Sequence, residues 1–235
     1  MTSTATINMQ VLLLGASGRN GSLVLESALA RGHQVTALVR SPSTFTVKHK
    51  NLNLVKGSPL SLPDLQSALQ SCPGVDAVLI ALGHRRLGSS PFAGPTPDSL
   101  HDLMERAVRT LLRAIEAVHL AKAPKLIINS SVGVGASWGS MILPLRLIFS
   151  NAAPMRIGLE DHANVDRITR ESGLPFVLAR AARLTDESAK PVRVWGEDGE
   201  GTPWMASISR ASLAEWMVDA IGSAKYDGQA PVLTN

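Results

Sequence analysis

The sequence predicts an α/β protein with a doubly wound, mostly parallel sheet in a single domain. Short apolar runs alternate with amphipathic helical segments along the whole chain, which is the pattern of strand–helix–strand units. The runs are continuously apolar, as is typical of parallel strands that are covered on both faces. With 235 residues and 45% hydrophobic content the chain can bury one sizeable core, and no linker-like boundary divides it.

The first strand, the first helix and the glycines between them define the site that we expect to matter most. Residues 11–14 predict a buried strand, Gly15, Gly18 and Gly21 follow, and residues 22–29 predict a helix. Glycines at this spacing permit a tight turn, a close approach of phosphate to backbone N–H groups, and packing of helix on strand. The sequence therefore predicts a Rossmann-like dinucleotide site, the alternative being a turn that only packs helix against strand.

The end of the second strand indicates which dinucleotide is bound. Residues 34–39 predict that strand, and Arg40 and Ser41 follow it where NAD-binding units carry an acidic residue. A guanidinium and a hydroxyl at this place suit a ribose 2′-phosphate, so we expect NADP(H). A solvated arginine is the alternative. Further cations that could reach the same phosphate are Arg19, Lys48 and Lys50.

The later elements repeat the alternation. Further strands are predicted at residues 52–55, 76–82, 125–129, 176–179 and 231–233, with a hairpin or loop at 192–204. Further helices are predicted to begin at Pro63, at Asp98 or Ser99, at Glu160 and at Arg210.

Three segments between these elements are expected on the substrate side, because the carboxyl ends of parallel strands bind ligands. They cover about residues 84–100, 132–158 and 181–207. The second segment holds large apolar side chains that could line a substrate pocket or belong to the core, namely Trp138, Met141, Leu143 and Phe149.

Composition narrows the class of partner to small molecules. The net charge of +4 is scattered and aromatic residues are only 4% of the chain, which argues against a nucleic-acid surface. The single cysteine, Cys72, excludes a disulfide framework, and the six histidines lack the spacings of a metal site. No membrane-length apolar run or secretory leader is visible, so we expect a cytoplasmic protein without membrane contact, as a monomer or homodimer.

Motifs over almost the full length resemble the atypical short-chain dehydrogenase/reductase group, which includes NmrA-like proteins and the biliverdin-IXβ/flavin reductase type. The resemblance is carried by GASGRNG at 15–21, LVRSPS at 38–43, ALG at 81–83, the serine pair at 130–131, EDHANVDRITRESGLPFVLAR at 160–180 and ISRASLAEWM at 208–217.

This resemblance implies an NADP-binding domain that often acts as a small-molecule reductase. It places Ser131 near the nicotinamide and His162 on the substrate side, as the two candidate catalytic residues. The candidate cofactor-binding residues, from the motifs and the resemblance together, are Gly15, Ser17, Gly18, Arg19, Asn20, Gly21, Arg40, Ser41, Ser58, Leu60, Ala81, Leu82, Gly83, His84, Ser130 and Arg180.

The chain departs from the family pattern after strands three and six, and from the orthodox dehydrogenases of the wider superfamily in its catalytic dyad. Ser58 stands where an aspartate is common after strand three, and Ala181 follows Arg180 where proline is common. The Tyr-x-x-x-Lys dyad of orthodox short-chain dehydrogenases is missing, because the single tyrosine, Tyr226, has Ala230 four residues later.

The leading hypothesis is an NADPH-dependent reductase of a small, largely apolar or aromatic, carbonyl-like or conjugated substrate. His162 would supply the proton, with Asp166 one turn later orienting the imidazole and raising its pKa, unless the pair is a surface ion pair. The alternatives are an NADP-binding isomerase or cyclase and a cofactor-sensing regulatory module. A hydrolase built from Ser131, His162 and Asp166 is disfavoured, because no G-x-S-x-G motif is present.

Overall fold

The computed structural model describes residues 8–84, 87–88, 96 and 100–235. Eight strands form one sheet in the order β3-β2-β1-β4-β5-β6-β10-β8, and β7 and β9 form a second, two-stranded sheet. The strands are β1 Gln10–Leu14, β2 Gln34–Val39, β3 Leu52–Lys56, β4 Ala77–Ile80, β5 Lys125–Ser131, β6 Phe176–Ala181, β7 Arg183–Thr185, β8 Arg193–Trp195, β9 Ser207–Ser209 and β10 Val232–Thr234.

Helices cover both faces of the large sheet. They are α1 Arg19–Ala30, α2 Leu62–Gln70, α3 Leu103–Val118, α4 Leu143–Asn151, α5 Ala153–Glu171 and α6 Arg210–Asp219. One core layer joins α1 and α6 to the sheet through side chains such as Val24 and Met217. The other joins α2, α3 and α5 to the opposite face through Leu65, Leu111 and Val165. No helix in the described ranges is both long and apolar enough to cross a membrane.

The strand order places a crevice beside β1. The chain runs from β1 outward to β2 and β3, and then returns to the other side of β1 at β4, where Leu14 pairs with Ile80 in parallel register. Connections that leave β1 and β4 in opposite directions open a gap at their carboxyl ends, which is where such sheets bind ligands. The observed architecture confirms the doubly wound, Rossmann-like fold class.

Element boundaries differ from the sequence expectations on the substrate side. Helix α5 begins at Ala153, well before Glu160, because Pro154 sits in its first turn, where a missing N–H costs nothing. Helix α4 and the parallel pair β7–β9 had no counterpart in the sequence pattern. The expected helix start at Asp98 or Ser99 lies outside the described residues, and α3 as described begins at Leu103.

Candidate functional site

The glycine turn between β1 and α1 is so tight that two of its glycines have no room for a side chain. Gly15 has φ +94°, and a Cβ there would lie 2.6 Å from the carbonyl oxygen of Ala81. A Cβ on Gly21 would lie 1.9 Å from the Gly15 oxygen. Gly18 is extended, and a Cβ there would lie 3.3 Å from the Gly15 oxygen and 3.9 Å from the Ala81 oxygen. The packing therefore requires Gly15 and Gly21, whereas a side chain at Gly18 would require only a small shift of the Gly15 oxygen.

The N-terminus of α1 has backbone donors that no side chain caps. In α2 and α6 the hydroxyls of Ser61 and Ser209 accept a backbone N–H of the first turn, and α1 has no such cap. The first helical bond of α1 runs from Ser22 N to Gly18 O, so the N–H groups of the preceding turn remain free for an anion. Those three donors belong to Arg19, Asn20 and Gly21, and the exposed Ser17 lies next to them in the chain.

The expected 2′-phosphate site lies at the ends of β2 and β3. Arg40 and Ser41 are exposed directly after β2, and Arg40 forms no ion pair with any described residue. After β3, Ser58 N donates to Asp64 Oδ2 at 2.8 Å, and the Ser58 hydroxyl accepts from Leu60 N at 3.2 Å. Ser58 and Leu60 thus form a turn that is fixed to α2. It follows β3, the strand next to the one that Arg40 follows.

The segment after β4 lines the crevice and is joined through His84 to Leu100 and to helix α5. Ala81 N donates to Leu14 O, which holds Ala81, Leu82 and Gly83 beside the glycine turn. The ring of His84 then has Leu100 O 3.1 Å from Nδ1 and Asp161 Oδ2 2.9 Å from Nε2. His84 therefore ties this segment to the carboxylate of α5.

Asp161 is a buried carboxylate that caps a neighbouring helix. Its two oxygens accept the N–H groups of Met104 and Glu105 in the first turn of α3, at 3.0 and 2.8 Å. Burial alone would raise the pKa of this carboxyl, but His84 and the two backbone donors hold the pKa below its ordinary value. Asp161 is consequently ionised at neutral pH and fixes α5 to α3.

His162 differs from the expectation in both its pKa and its neighbour. Burial, with a smaller contribution from the nearby His84, lowers its pKa to about 4 against an opposing effect of Asp161. Its Nδ1 is buried and has no hydrogen-bond partner among the described residues. The expected orientation by Asp166, with a raised pKa, is wrong, because both oxygens of Asp166 are held by arginines.

Those arginines belong to a network that also corrects the expectation for Arg180. This side chain, 1% exposed, donates to Asp166 Oδ2 at 2.5 Å and to the carbonyl oxygen of Glu197 at 2.7 Å. Arg170 joins the same two residues, contacting Asp166 Oδ1 at 2.5 Å and Glu197 Oε2 at 2.8 Å. The Arg180 guanidinium is thus held in a buried ion-pair network and is not available to a cofactor.

The serine pair lies at the carboxyl end of β5, next to the register position of Arg180. Ser130 is buried, and the half-buried Ser131 donates its hydroxyl to Val132 O at 3.0 Å. No hydrogen bond joins Ser131 to His162 within the described ranges, and Asp166 is occupied elsewhere. The Ser–His–Asp arrangement of a hydrolase is therefore not formed.

The apolar residues of the 132–158 segment divide between core and surface. Met141 is buried, Trp138 and Phe149 are half-buried, and Leu143 is 68% exposed. Neither expected alternative, a uniform pocket lining or plain core, describes all four.

Comparisons with known proteins agree with this geometry. The family model described as NAD(P)H-binding matches residues 15–224, and the chain belongs to that family. A reductase, pytE of Aspergillus terreus, is 24% identical over 260 residues, which cover 95% of this chain and 97% of that protein. The family resemblance that the sequence motifs indicate is thereby confirmed at the level of nicotinamide-dinucleotide-binding proteins.

Solved structures share the fold over nearly all of both chains. The anaerobillin reductase ChuY from Escherichia coli O157:H7 superposes with a TM-score of 0.72 at 19% identity, covering 95% of this chain and 96% of that chain. A candidate epimerase from Bacteroides thetaiotaomicron gives a TM-score of 0.73 at 22% identity, covering 97% of each chain. At these identities the likeness concerns the fold.

Three acidic residues that hold the substrate side of the molecule together were not predicted from the sequence. Asp161 and Glu197 fix α5 to its neighbours, and Asp186 pairs with Arg19 of the glycine turn. All three partners lie far away in sequence, so no local spacing could have revealed them. The one available signal was the acidic residue directly before His162.

Proposed function

We propose that this protein is an NADPH-dependent reductase. The observation that supports it most directly is the uncapped N-terminus of α1 behind a glycine turn, with Arg40, which pairs with no carboxylate of the described residues, at the end of the next strand. Free N–H groups and a helix dipole suit a diphosphate, and a planar guanidinium suits a 2′-phosphate.

Residues that follow two neighbouring strands would hold different parts of the cofactor. Backbone donors of Arg19, Asn20 and Gly21 would hold the diphosphate, and Arg40 with Ser41 would hold the 2′-phosphate. Ala81, Leu82 and Gly83 would line the groove toward the nicotinamide, with Ser58 and Leu60 at the adenine side. When bound, NADPH supplies a hydride to the substrate and leaves as NADP⁺, and a proton completes the reduction.

The two candidate catalytic residues would act as hydrogen-bonding groups on the substrate side. With a pKa of about 4, His162 is neutral at pH 7, so we assign it contact with the substrate and assign the proton to solvent. Ser131, the last residue of β5, would bind the substrate oxygen or the nicotinamide carboxamide.

The substrate is proposed to be small and largely apolar or aromatic, with a carbonyl-like or conjugated group. The proposal is supported by apolar side chains that α4 and the loop before β9 expose, namely Leu143, Leu147, Trp204 and Met205. Segments 132–158 and 181–207 would form this side of the site. A cytoplasmic location and a monomeric or homodimeric state remain predictions.

Cofactor preference tests the proposal. We expect tighter binding of NADPH than of NADH, and Arg40→Asp should reverse the preference, since it removes the phosphate ligand and adds repulsion. Arg113→Asp, an equal charge change on the exposed face of α3, should leave the preference intact. Calorimetric titration with both cofactors measures the effect, and equal affinities in the unmodified protein would contradict it.

Turnover tests the assignment of His162. With a carbonyl or conjugated substrate, loss of NADPH absorbance should report the reaction, and His162→Ala should slow it about tenfold by the same factor at pH 6 and pH 8. His101→Ala, which alters an exposed histidine, serves as the control. If the loss of activity in His162→Ala were smaller at low pH, His162 would be the proton donor. Turnover of a substrate without NADPH consumption would instead indicate an isomerase.

A further inference from the structure

The carboxylate of Asp186 pairs with two arginines, each of which is the first residue of a helix, beside the glycine turn. Asp186 Oδ2 lies 2.6 Å from Arg19 Nη2, and Asp186 Oδ1 lies 2.7 Å from Arg210 Nη1. Arg19 is the first residue of α1, and Arg210 is the first residue of α6. Both side chains therefore converge on a single anion above the start of α1.

The fold explains why Asp186 reaches this place. Strand β7 pairs with β9 in parallel register, with Thr185 beside Ser209, so the next residues, Asp186 and Arg210, also lie side by side. Helices α1 and α6 pack in one core layer, which brings Arg19 to the other oxygen of the same carboxylate. The contact joins residues 167 positions apart.

We propose that Asp186 is an internal competitor for the phosphate of the cofactor. The inference rests on the proposed function, since Arg19 contributes one of the three free N–H groups expected to hold the diphosphate. A carboxylate that occupies Arg19 withholds that guanidinium from phosphate and places a negative charge close to the incoming anion. Cofactor binding then transfers Arg19 from Asp186 to the phosphate, while Arg210, 15% exposed against 61% for Arg19, keeps its hold on Asp186.

The size of the effect follows from exposure. Arg19 and Asp186 are 61% and 66% exposed, and ion pairs at such positions are weak and screened by salt. We therefore expect Asp186→Asn to bind NADPH about three- to fivefold more tightly than the unmodified protein at low salt, with the difference shrinking as salt is added.

The matched control is the adjacent residue. Glu187→Gln removes the same charge one position later, where the carboxylate pairs with Lys190 and contacts neither arginine. We expect its affinity for NADPH to stay within about twofold of the unmodified protein. In an Arg19→Ala background, Asp186→Asn should no longer tighten binding, because the contested guanidinium is gone.

Fluorescence titration of the full chain with NADPH decides between the outcomes. Tighter binding by Asp186→Asn alone, lost in the Arg19→Ala background, supports the proposal. Equal affinities for Asp186→Asn and Glu187→Gln, or weaker binding by Asp186→Asn, would overturn it and leave the proposed function standing. Absence of NADPH binding in every variant, with circular dichroism of a folded protein, would overturn both.

Discussion

The two halves of the molecule are built by different kinds of contact. In the cofactor half, residues 8–84, the turn depends on neighbours: Gly21 packs on Gly15, and Ser58 binds Asp64 six positions away. In the substrate half, residues 100–235, helix α5 is held by Asp161, which caps a helix 57 positions earlier, and by pairs that reach Glu197. Close backbone packing shapes the glycine turn, whereas charged side chains from distant parts of the chain hold the helices of the substrate site.

The largest test of this contrast removes the central cation of the substrate half. Arg180→Ala leaves Asp166 buried with Arg170 alone, so we expect the free energy of unfolding to fall by about 3–5 kcal/mol. Arg167→Ala, which breaks an exposed pair with Glu171, should cost less than about 1 kcal/mol. Urea denaturation of both variants measures the difference, and similar losses would show that burial of the network contributes nothing.

A second test separates folding from binding within the cofactor half. Gly18→Val should fold, because its backbone is extended and a Cβ 3.3 Å from the Gly15 oxygen and 3.9 Å from the Ala81 oxygen needs only a small shift to fit, but it should weaken NADPH binding on the order of a hundredfold. Gly21→Ala should damage folding as well, since its Cβ would overlap the Gly15 oxygen.

Calorimetry and thermal unfolding of the two glycine variants provide the readouts. Gly222→Ala, at an exposed glycine with no atom near its Cβ, is the control and should change neither quantity greatly. Unchanged NADPH affinity in Gly18→Val would place the diphosphate elsewhere.

The smallest test uses the pH dependence of stability. The pKa of His162 is about 4 in the folded chain and about 6.5 in an unfolded one, so the unfolded state binds more protons between these values. The contribution of neutral His162 to the free energy of unfolding is therefore complete above pH 6.5. About 1–3 kcal/mol of that contribution is lost as the pH falls toward 4.

His162→Gln should lose less stability than the unmodified protein between pH 6.5 and pH 4. His33, whose pKa is also lowered by burial, is present in both proteins, so the difference between their urea midpoints isolates His162. Identical pH profiles would mean that His162 is solvated in the folded protein.

These two kinds of contact also explain what the sequence could predict. Continuous apolar runs and the glycine spacing depend on local geometry, and they identified the turn at Gly15, Gly18 and Gly21 and the alternating elements from β1 to β6 with the exception of α4. Arg40 could likewise be assigned to the end of β2 from its position in the chain.

The substrate half resisted prediction for a physical reason. The spacing of His162 and Asp166 suggests a pair on one helix face, but Asp166 pairs at 2.5 Å with the guanidinium of Arg180, a residue of strand β6. Charged side chains select partners by proximity in space, and that proximity is fixed only when the sheet has assembled. Arg180 was accordingly predicted to bind the cofactor, whereas the structure shows it buried in the interior.

The cap that Asp161 provides has a consequence for the order in which the molecule acquires its structure. The first turn of α3 has no side-chain cap of its own at Asp102, so the amides of Met104 and Glu105 remain open to water until α5 docks. A local opening of α5 would expose those amides to solvent exchange and free His84 from its carboxylate in the same event. Fraying in the substrate half would thereby reach the segment that lines the cofactor groove.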